Sequence, residues 1–402
     1  MADVDYDVVI IGGGPIGGHL GRILSESDIS VLILEEHLVI GRPFQCAGLV
    51  TPSAMARVGL YDTVLSDVWG ARINSPKGTV VEIGQPDILR THVVCRKLFD
   101  EGCVRQALDA GAHIWLDSRP TDANVVDGAM ELTVNREGKI ETVRCRLLCG
   151  ADGAHSWTRR HFRLGRPKEF MVGFQAEVTG YNGLSDRLDM FTGESIAPGL
   201  FAWAIPNGDT HRIGLWAHPE RLDGRSCEDL YDELKYNSIW SDRFTNVRET
   251  ARYCGPIPSG VLRRIHKERV VLFGDAAGFC KPTTGGGIGP GFDQIHLLAP
   301  SLIKAIRSNR LSQSQLKRIC KPVAKMRKEL ERARILRDLF VTSCDDDELE
   351  KNFTIFAKNN VIDLINEAGD IEKPVPLGIR LLKEVPEFRR MAAKATWALL
   401  TG

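Results

Sequence analysis

The sequence predicts an α/β protein, α+β overall: a Rossmann-like βαβ unit, a second domain built on a mostly antiparallel sheet, and a helical C-terminal region. Three observations predict this. The first 160 residues alternate apolar strand runs with helical stretches around a glycine loop, the chain from about Arg163 to Tyr253 shifts to short β-type segments, and from Leu311 onward it turns helix-like and rich in Lys, Arg, Leu and Glu.

Taken in order, Tyr6 to Ile11 is a buried-strand run, Gly17 to Ser27 a helix, Ser30 to Leu34 a second strand, Phe99 to Ala110 a helix and His113 to Leu116 a third strand. Such alternation implies a parallel sheet with helices on its faces. Met171 to Val178, Leu200 to Ile205 and Arg212 to His218 read as strands of the second domain, with one helix at Cys227 to Tyr236. Strand signal returns at Val270 to Phe273, followed by a glycine-rich loop and a helix near Gly289, so the first domain is discontinuous. Residues 1–70, 92–162 and 255–310 are expected to form it, 71–91 and 163–254 the second domain, and 311–402 the helical region, with breaks at the acidic run Cys344 to Glu348 and at Lys373 to Pro376.

Composition excludes several classes. The chain has 402 residues, 43% hydrophobic and 26% charged, as a folded globule requires. Lys plus Arg and Asp plus Glu both number 52, so no net charge draws the protein to nucleic acid. No run of about 18 apolar residues exists to cross a membrane, and the opening MADVDYDVV lacks a secretory pattern, so a cytoplasmic protein is expected. Ten cysteines occur without a CxxC pair or zinc-type histidine spacing, which predicts no metal and mostly buried, reduced thiols. Cys145 and Cys149 stand four apart in a strand and share one packed side.

Three motifs carry chemistry. Gly12 to Gly17 reads GGGPIG directly after a strand and opens a helix: Gly12 permits the turn, Gly14 lets backbone approach a pyrophosphate, Pro15 starts the helix, and Gly17 lets helix and strand pack closely. Glu35 ends the second strand, where its carboxylate can accept from a ribose hydroxyl. Far downstream, Gly150 to Arg160 reads GADGAHSWTRR and Gly274 to Gly278 reads GDAAG after a strand. Asp275 is therefore a candidate for the ribityl hydroxyls of a flavin. The following TTGGGIGPG puts Gly286, Gly287 and Ile288 at a helix start, where backbone N–H groups could stabilise negative charge on a reduced flavin ring.

Together with PFQCAG (Pro43 to Gly48) and CRKLFD (Cys95 to Asp100), these segments resemble the geranylgeranyl reductase family of flavoproteins, and within it the archaeal digeranylgeranylglycerophospholipid reductases, built on the fold of p-hydroxybenzoate hydroxylase. The likeness runs in order over residues 5 to 310. It implies FAD held by Gly14 to Gly17, Glu35 and Arg96, with backbone near Thr121, and Cys46, Ala47 and Gly48 close to the isoalloxazine. It implies Asp275, Gly287 and Ile288 at the ribityl chain and ring, and Asp152 in a second fingerprint that ranks below Asp275. The chain departs from many relatives in having CAGLV after the PxxC cysteine, which removes a carboxylate there, and FAWAIP at Phe201 to Pro206 in place of a more aromatic segment.

The activity implied is hydrogenation of isolated C=C bonds of isoprenoid chains on an archaeal-type lipid or its precursor, with Phe191, Leu200, Phe201, Trp203, Ile205 and Trp216 as walls of an apolar tunnel. Cys46 is a candidate proton donor or positioning group, with a buried inert thiol as its alternative. An FAD monooxygenase and a flavin electron-transfer protein remain alternatives. The partners expected are the isoprenoid lipid and an electron donor such as reduced ferredoxin, a deazaflavin or NAD(P)H. Residues 377 to 400 mix basic and apolar side chains, which suits either peripheral membrane contact or a packed terminal helix.

Overall fold

A computed structural model describes residues 3–43, 46–370 and 373–389. Its first sheet is built around strand Tyr6–Ile11, whose Val8, Val9 and Ile10 are fully buried. That strand pairs in parallel with Val31–Leu34 on one side and with the end of Lys139–Gly150 on the other. His113–Trp115 and Val270–Leu272 extend the parallel array at either flank. All-apolar central strands such as VLIL are what a sheet covered on both faces demands. Cys145 and Cys149 are both fully buried in Lys139–Gly150, and burial pushes the Cys145 thiol up to about 12.

Helix Pro15–Ser25 packs on this sheet, and helix Arg96–Asp109 packs on that helix. Their contact is close because a side chain at Gly18 would meet the backbone of Cys103 and Val104. Sequence alternation did not separate the antiparallel strands Ser118–Val126 and Ala129–Arg136, which form a meander with the long strand Lys139–Gly150.

The second sheet has seven strands in the order Arg248–Ser259, Glu169–Thr179, Thr210–Ala217, Ala202–Asn207, Arg187–Phe191, Gly70–Asn74 and Val80–Gly84, antiparallel except where Arg187–Phe191 meets Gly70–Asn74. One face packs on helix Cys227–Asp232 and the π-helical turn Glu233–Asn237 through Phe174, Ala176, Ile213, Leu230 and Leu234. The other face looks toward the first sheet.

The C-terminal region is helical, with two adjustments to the expected breaks. Asp345 caps helix Asp346–Phe356 in a capping box with Glu348, so the acidic run starts a helix. The prolines of KPVP likewise occupy the first turn of helix Pro374–Glu384, where their missing N–H groups cost nothing. Leu381, Leu382, Val385 and Phe388 are buried against Leu336, Phe340, Val361 and Leu364. The described part of the 377–400 segment is thus a packed helix; the stretch from 390 lies outside the described residues. Among the described residues no helix is long and apolar enough to cross a membrane, and no cluster of potential metal ligands occurs.

Candidate functional site

The glycine loop does what its spacing demands. Gly12 adopts φ +106° and donates to Leu34 O at 2.8 Å, and a side chain there would strike Ala151. A side chain at Gly17 would run into Gly12 O, so helix and loop approach only through glycine. Gly14, by contrast, faces open space and begins the helix with no side-chain cap. Its free N–H groups and open surface suit a pyrophosphate.

Glu35 is anchored beside this loop. One carboxylate oxygen accepts from Gly13 N–H at 2.7 Å, and the other from His37 N–H at 3.0 Å, with the His37 ring nitrogen 2.6 Å away. Glu35 O accepts from Ser118 N–H, which brings Thr121 to within three residues of it; the exposed Thr121 hydroxyl itself donates to Thr133 O.

Arg96 opens its helix and is gripped by Asp100, its Nε donating at 2.9 Å and its Nη2 at 2.8 Å. Burial alone would lower the guanidinium, but attraction to Asp100 and then to Cys46 outweighs it and raises its pKa. Arg96 also pulls on Asp275. The structure therefore gathers Arg96, Cys46 and Asp275 in one place from three distant segments.

Asp275 stands in the turn Gly274–Ala277, with no hydrogen-bond donor to its carboxylate among the described residues. Burial pushes its carboxyl up to about 6 despite Arg96. Gly287 must lack a side chain, because one would run into the Asp275 carboxylate. It precedes helix Ile288–Arg307 without a side-chain cap, leaving the N–H groups of that first turn for a ligand. Asp152 is differently employed: it accepts from Ser156 Oγ at 2.6 Å, Thr158 N–H at 2.8 Å and Thr158 Oγ1 at 2.9 Å, holding helix Trp157–His161 in place.

Phe44 and Gln45 of the PFQCAG segment lie outside the described residues. Cys46 Sγ accepts from Gly48 N–H at 3.5 Å, and Cys46 O accepts from Gln175 Nε2 at 3.5 Å. Trp203 Nε1 donates to Gln175 Oε1 at 3.2 Å, so one amide joins the cysteine segment to the second sheet. Arg212 reinforces that junction, donating to Ala47 O at 2.8 Å and Val94 O at 3.2 Å.

Phe201 packs edge-on against Trp216 at 5.3 Å and Trp203 at 6.2 Å, with Leu200 and Met171 beside them. The Trp216 ring is the nearest neighbour of Gly285, so this aromatic cluster borders the glycine loop after Asp275. Ile205 lies one cluster along, against Ala47, Leu49 and Leu188. Phe191 sits elsewhere. Its strand register opposes Met190 to Trp203 and Phe191 to Ala202, which turns Phe191 to the helix-covered face with Trp240 and Phe244.

Three buried polar residues escaped the sequence reading. Gln294 accepts from Gly274 N–H and donates to Leu272 O, fixing the turn that carries Asp275. Arg159 donates to Ala276 O and Ala154 O, clamping the same turn from behind. Arg212 is the third. Only Arg212 stands on a strand; Gln294 and Arg159 lie on helices, and nothing local marks the distant carbonyls that any of the three serves.

A parallel sheet with two glycine-lined helix starts converging on an unpaired aspartate defines an FAD-binding flavoprotein, and Gly14, Asp275 and Gly287 fit that group. The chain belongs to the family described as FAD binding domain, whose pattern matches residues 5–326. It is 30% identical over 396 residues, covering 95% of this chain and 96% of the relative, to an uncharacterized protein of Methanocaldococcus jannaschii. It is 27% identical to a digeranylgeranylglycerophospholipid reductase of Methanocella arvoryzae, over 78% of this chain and 81% of the relative. A crystal structure of a geranylgeranyl bacteriochlorophyll reductase-like protein from Thermoplasma acidophilum superposes with a TM-score of 0.84 at 21% identity, covering 97% of this chain and 99% of that one, and so shares the fold. The protein is a flavin oxidoreductase, and the resemblance read from its motifs to the geranylgeranyl reductases is borne out.

Proposed function

We propose that the protein saturates isolated C=C bonds in geranylgeranyl chains of archaeal-type membrane lipids or their precursors. The observation that carries this reading is the placement of Trp216 against Gly285 with Phe201 and Trp203 packed beside it, an apolar aromatic cluster next to the loop that follows Asp275. The name of the Methanocella relative supports the lipid class.

In this reading the N–H groups of Gly14, Ile16 and Gly17 would receive the FAD pyrophosphate, Glu35 would accept from the adenosine ribose, and Asp275 would accept from the ribityl chain. N–H groups of Gly286, Gly287 and Ile288 would stabilise the negative charge that a bound flavin gains on reduction. When bound and reduced, FAD supplies a hydride for one alkene carbon, and the other carbon takes a proton. An unactivated alkene offers no oxygen to polarise, so the chain's contribution is placement and dryness. Arg212 and Gln175 hold the Cys46–Gly48 segment against the second sheet, and the aromatic wall excludes water. Cys46 is the side chain placed to hold or orient a proton there.

Chemically reduced protein incubated without oxygen with a geranylgeranyl phospholipid tests the reading. Product masses should rise by two hydrogens per double bond. An unchanged lipid would refute it, and an oxygen-dependent gain of one oxygen atom would install a hydroxylase instead.

A further inference from the structure

A groove of about 800 Å³, lined by none of the aromatic-wall residues, opens on the molecule, and its charge is unlike that of the chain as a whole. Three segments line it. The loop after helix Trp157–His161 contributes Arg163, Arg166 and Lys168; the return from the second sheet contributes Arg263 and Arg264; and helix Val323–Arg337 contributes Arg327, Lys328 and Arg334. Eight cations thus face one carboxylate, Glu331, in a protein whose formal net charge is zero.

That carboxylate is already committed. Glu331 accepts from Lys168 at 3.0 Å and from Arg334 Nε at 3.2 Å, and Arg334 also reaches Asp338. Arg327 donates to a backbone carbonyl, Arg263 O, at 3.3 Å. Among the described residues Arg163, Arg166, Arg263, Arg264 and Lys328 have no acidic partner. These five are exposed to solvent, Arg166 with its guanidinium over the Phe170 ring, while the apolar floor of Leu164, Val261 and Leu262 is buried at 5%, 8% and 5% exposure.

A concavity of this volume has the size of a small-ligand site. Arginine forks converging from several segments match the tetrahedral oxygens of a phosphate, which bidentate guanidinium pairs recognise better than lone ammonium groups do. We propose that this groove is a phosphoester-binding site, its occupant a phosphate or diphosphate carried either on a lipid headgroup at a bilayer or on a soluble molecule. The groove is tied to the flavin site through its backbone: Leu262 N–H donates to Ala277 O at 3.1 Å, two residues beyond Asp275. An occupant would therefore sit outside the flavin crevice while ordering the chain that supports it.

FAD-loaded protein titrated calorimetrically with inorganic pyrophosphate tests the site. Binding should weaken as salt rises. R263S/R264S should weaken it about tenfold or more, since each charge-assisted hydrogen bond lost is worth at least that factor. K139S, which removes an exposed cation from the distant meander, should leave it unchanged. R166S serves as a second, independent variant, and retained flavin absorbance in each shows that folding is intact. Cosedimentation with phosphatidylglycerol vesicles but not with phosphatidylcholine vesicles, lost in R263S/R264S, would place the phosphate on a lipid headgroup; pyrophosphate binding without vesicle binding would place it on a soluble molecule. Absence of both, equal weakening by K139S, or salt-dependent binding of an acidic ferredoxin with no pyrophosphate binding would overturn the proposal. Because no arm requires turnover, its failure is separable from failure of the reductase reading.

Discussion

Replacing Asp275 should stabilise the protein without its cofactor and weaken it as a flavoprotein. The carboxyl is held at about 6 by burial, against an ordinary 3.8, with Arg96 opposing the rise. A folded-state value above the unfolded one means that the folded protein binds this proton more tightly, so ionisation works against folding. The penalty is absent below about pH 4, where both states are protonated, grows between about pH 4 and pH 6, and is constant above, reaching at most about 3 kcal/mol. Arg96 belongs to the same cluster, and solvent reaches the open side of the carboxylate, so the full figure is a ceiling. D275N removes the charge while keeping the size. Thermal unfolding of cofactor-free wild type and D275N, followed from pH 4 to pH 8, should show coincident midpoints at the acid end and a widening advantage for D275N up to about pH 6. Titration with FAD at pH 7 should show the reverse order, D275A binding about 10- to 100-fold more weakly, the worth of one hydrogen bond to a charged acceptor. Parallel unfolding curves at every pH, or unchanged FAD affinity in D275A, would refute the assignment of a buried, ligand-seeking carboxylate.

D152A should lose about 1–3 kcal/mol of stability, because three donors at Ser156 and Thr158 lose their acceptor, yet weaken FAD less than D275A does; equal losses of affinity would contradict the ranking. G17A should give a protein that fails to take up FAD, since the added carbon meets Gly12 O, and a normal flavin spectrum would overturn the close-packing argument. R337M should lower stability by about 1–3 kcal/mol, as loss of a buried guanidinium leaves Glu169 and Asp338 to Arg334 alone. Because Arg337 also donates to Pro282 O at 3.1 Å, next to the glycine loop, the flavin spectrum of R337M should shift as well, and an unperturbed spectrum would confine Arg337 to stability.

The parts of the site that could be read from the sequence are those whose constraint is local. Gly12 needs a positive φ, Gly17 needs a missing side chain one turn into a helix, and Gly287 needs room beside a strand-end aspartate; each demand is met within about a dozen residues and leaves a glycine behind. Arg212, Gln294 and Arg159 were not legible because their partners are chosen by the fold. Arg212 serves carbonyls at Ala47 and Val94, more than a hundred residues earlier, and nothing near it in the sequence announces them. The meander of Ser118–Val126 and Ala129–Arg136 was missed for a related reason: its strands are half exposed, so they lack the continuous apolar runs that mark the parallel core.

Phe191 shows where the same reasoning reached its limit on the substrate side. An aromatic in a strand can belong to either face, and periodicity separates the two faces without saying which of them looks at the flavin. The register Met190 to Trp203 and Trp203 to Gly214 decides it, placing Trp203 and Trp216 on the inward face and Phe191 on the outward one. Gly214 then acquires a reason that sequence alone did not supply, since a side chain there would collide with the Trp203 ring lying across it. Trp203 can lie flat beside Trp216 only because Gly214, on the strand that also carries Trp216, has no side chain in its way. The aromatic wall is therefore a property of three strands in register.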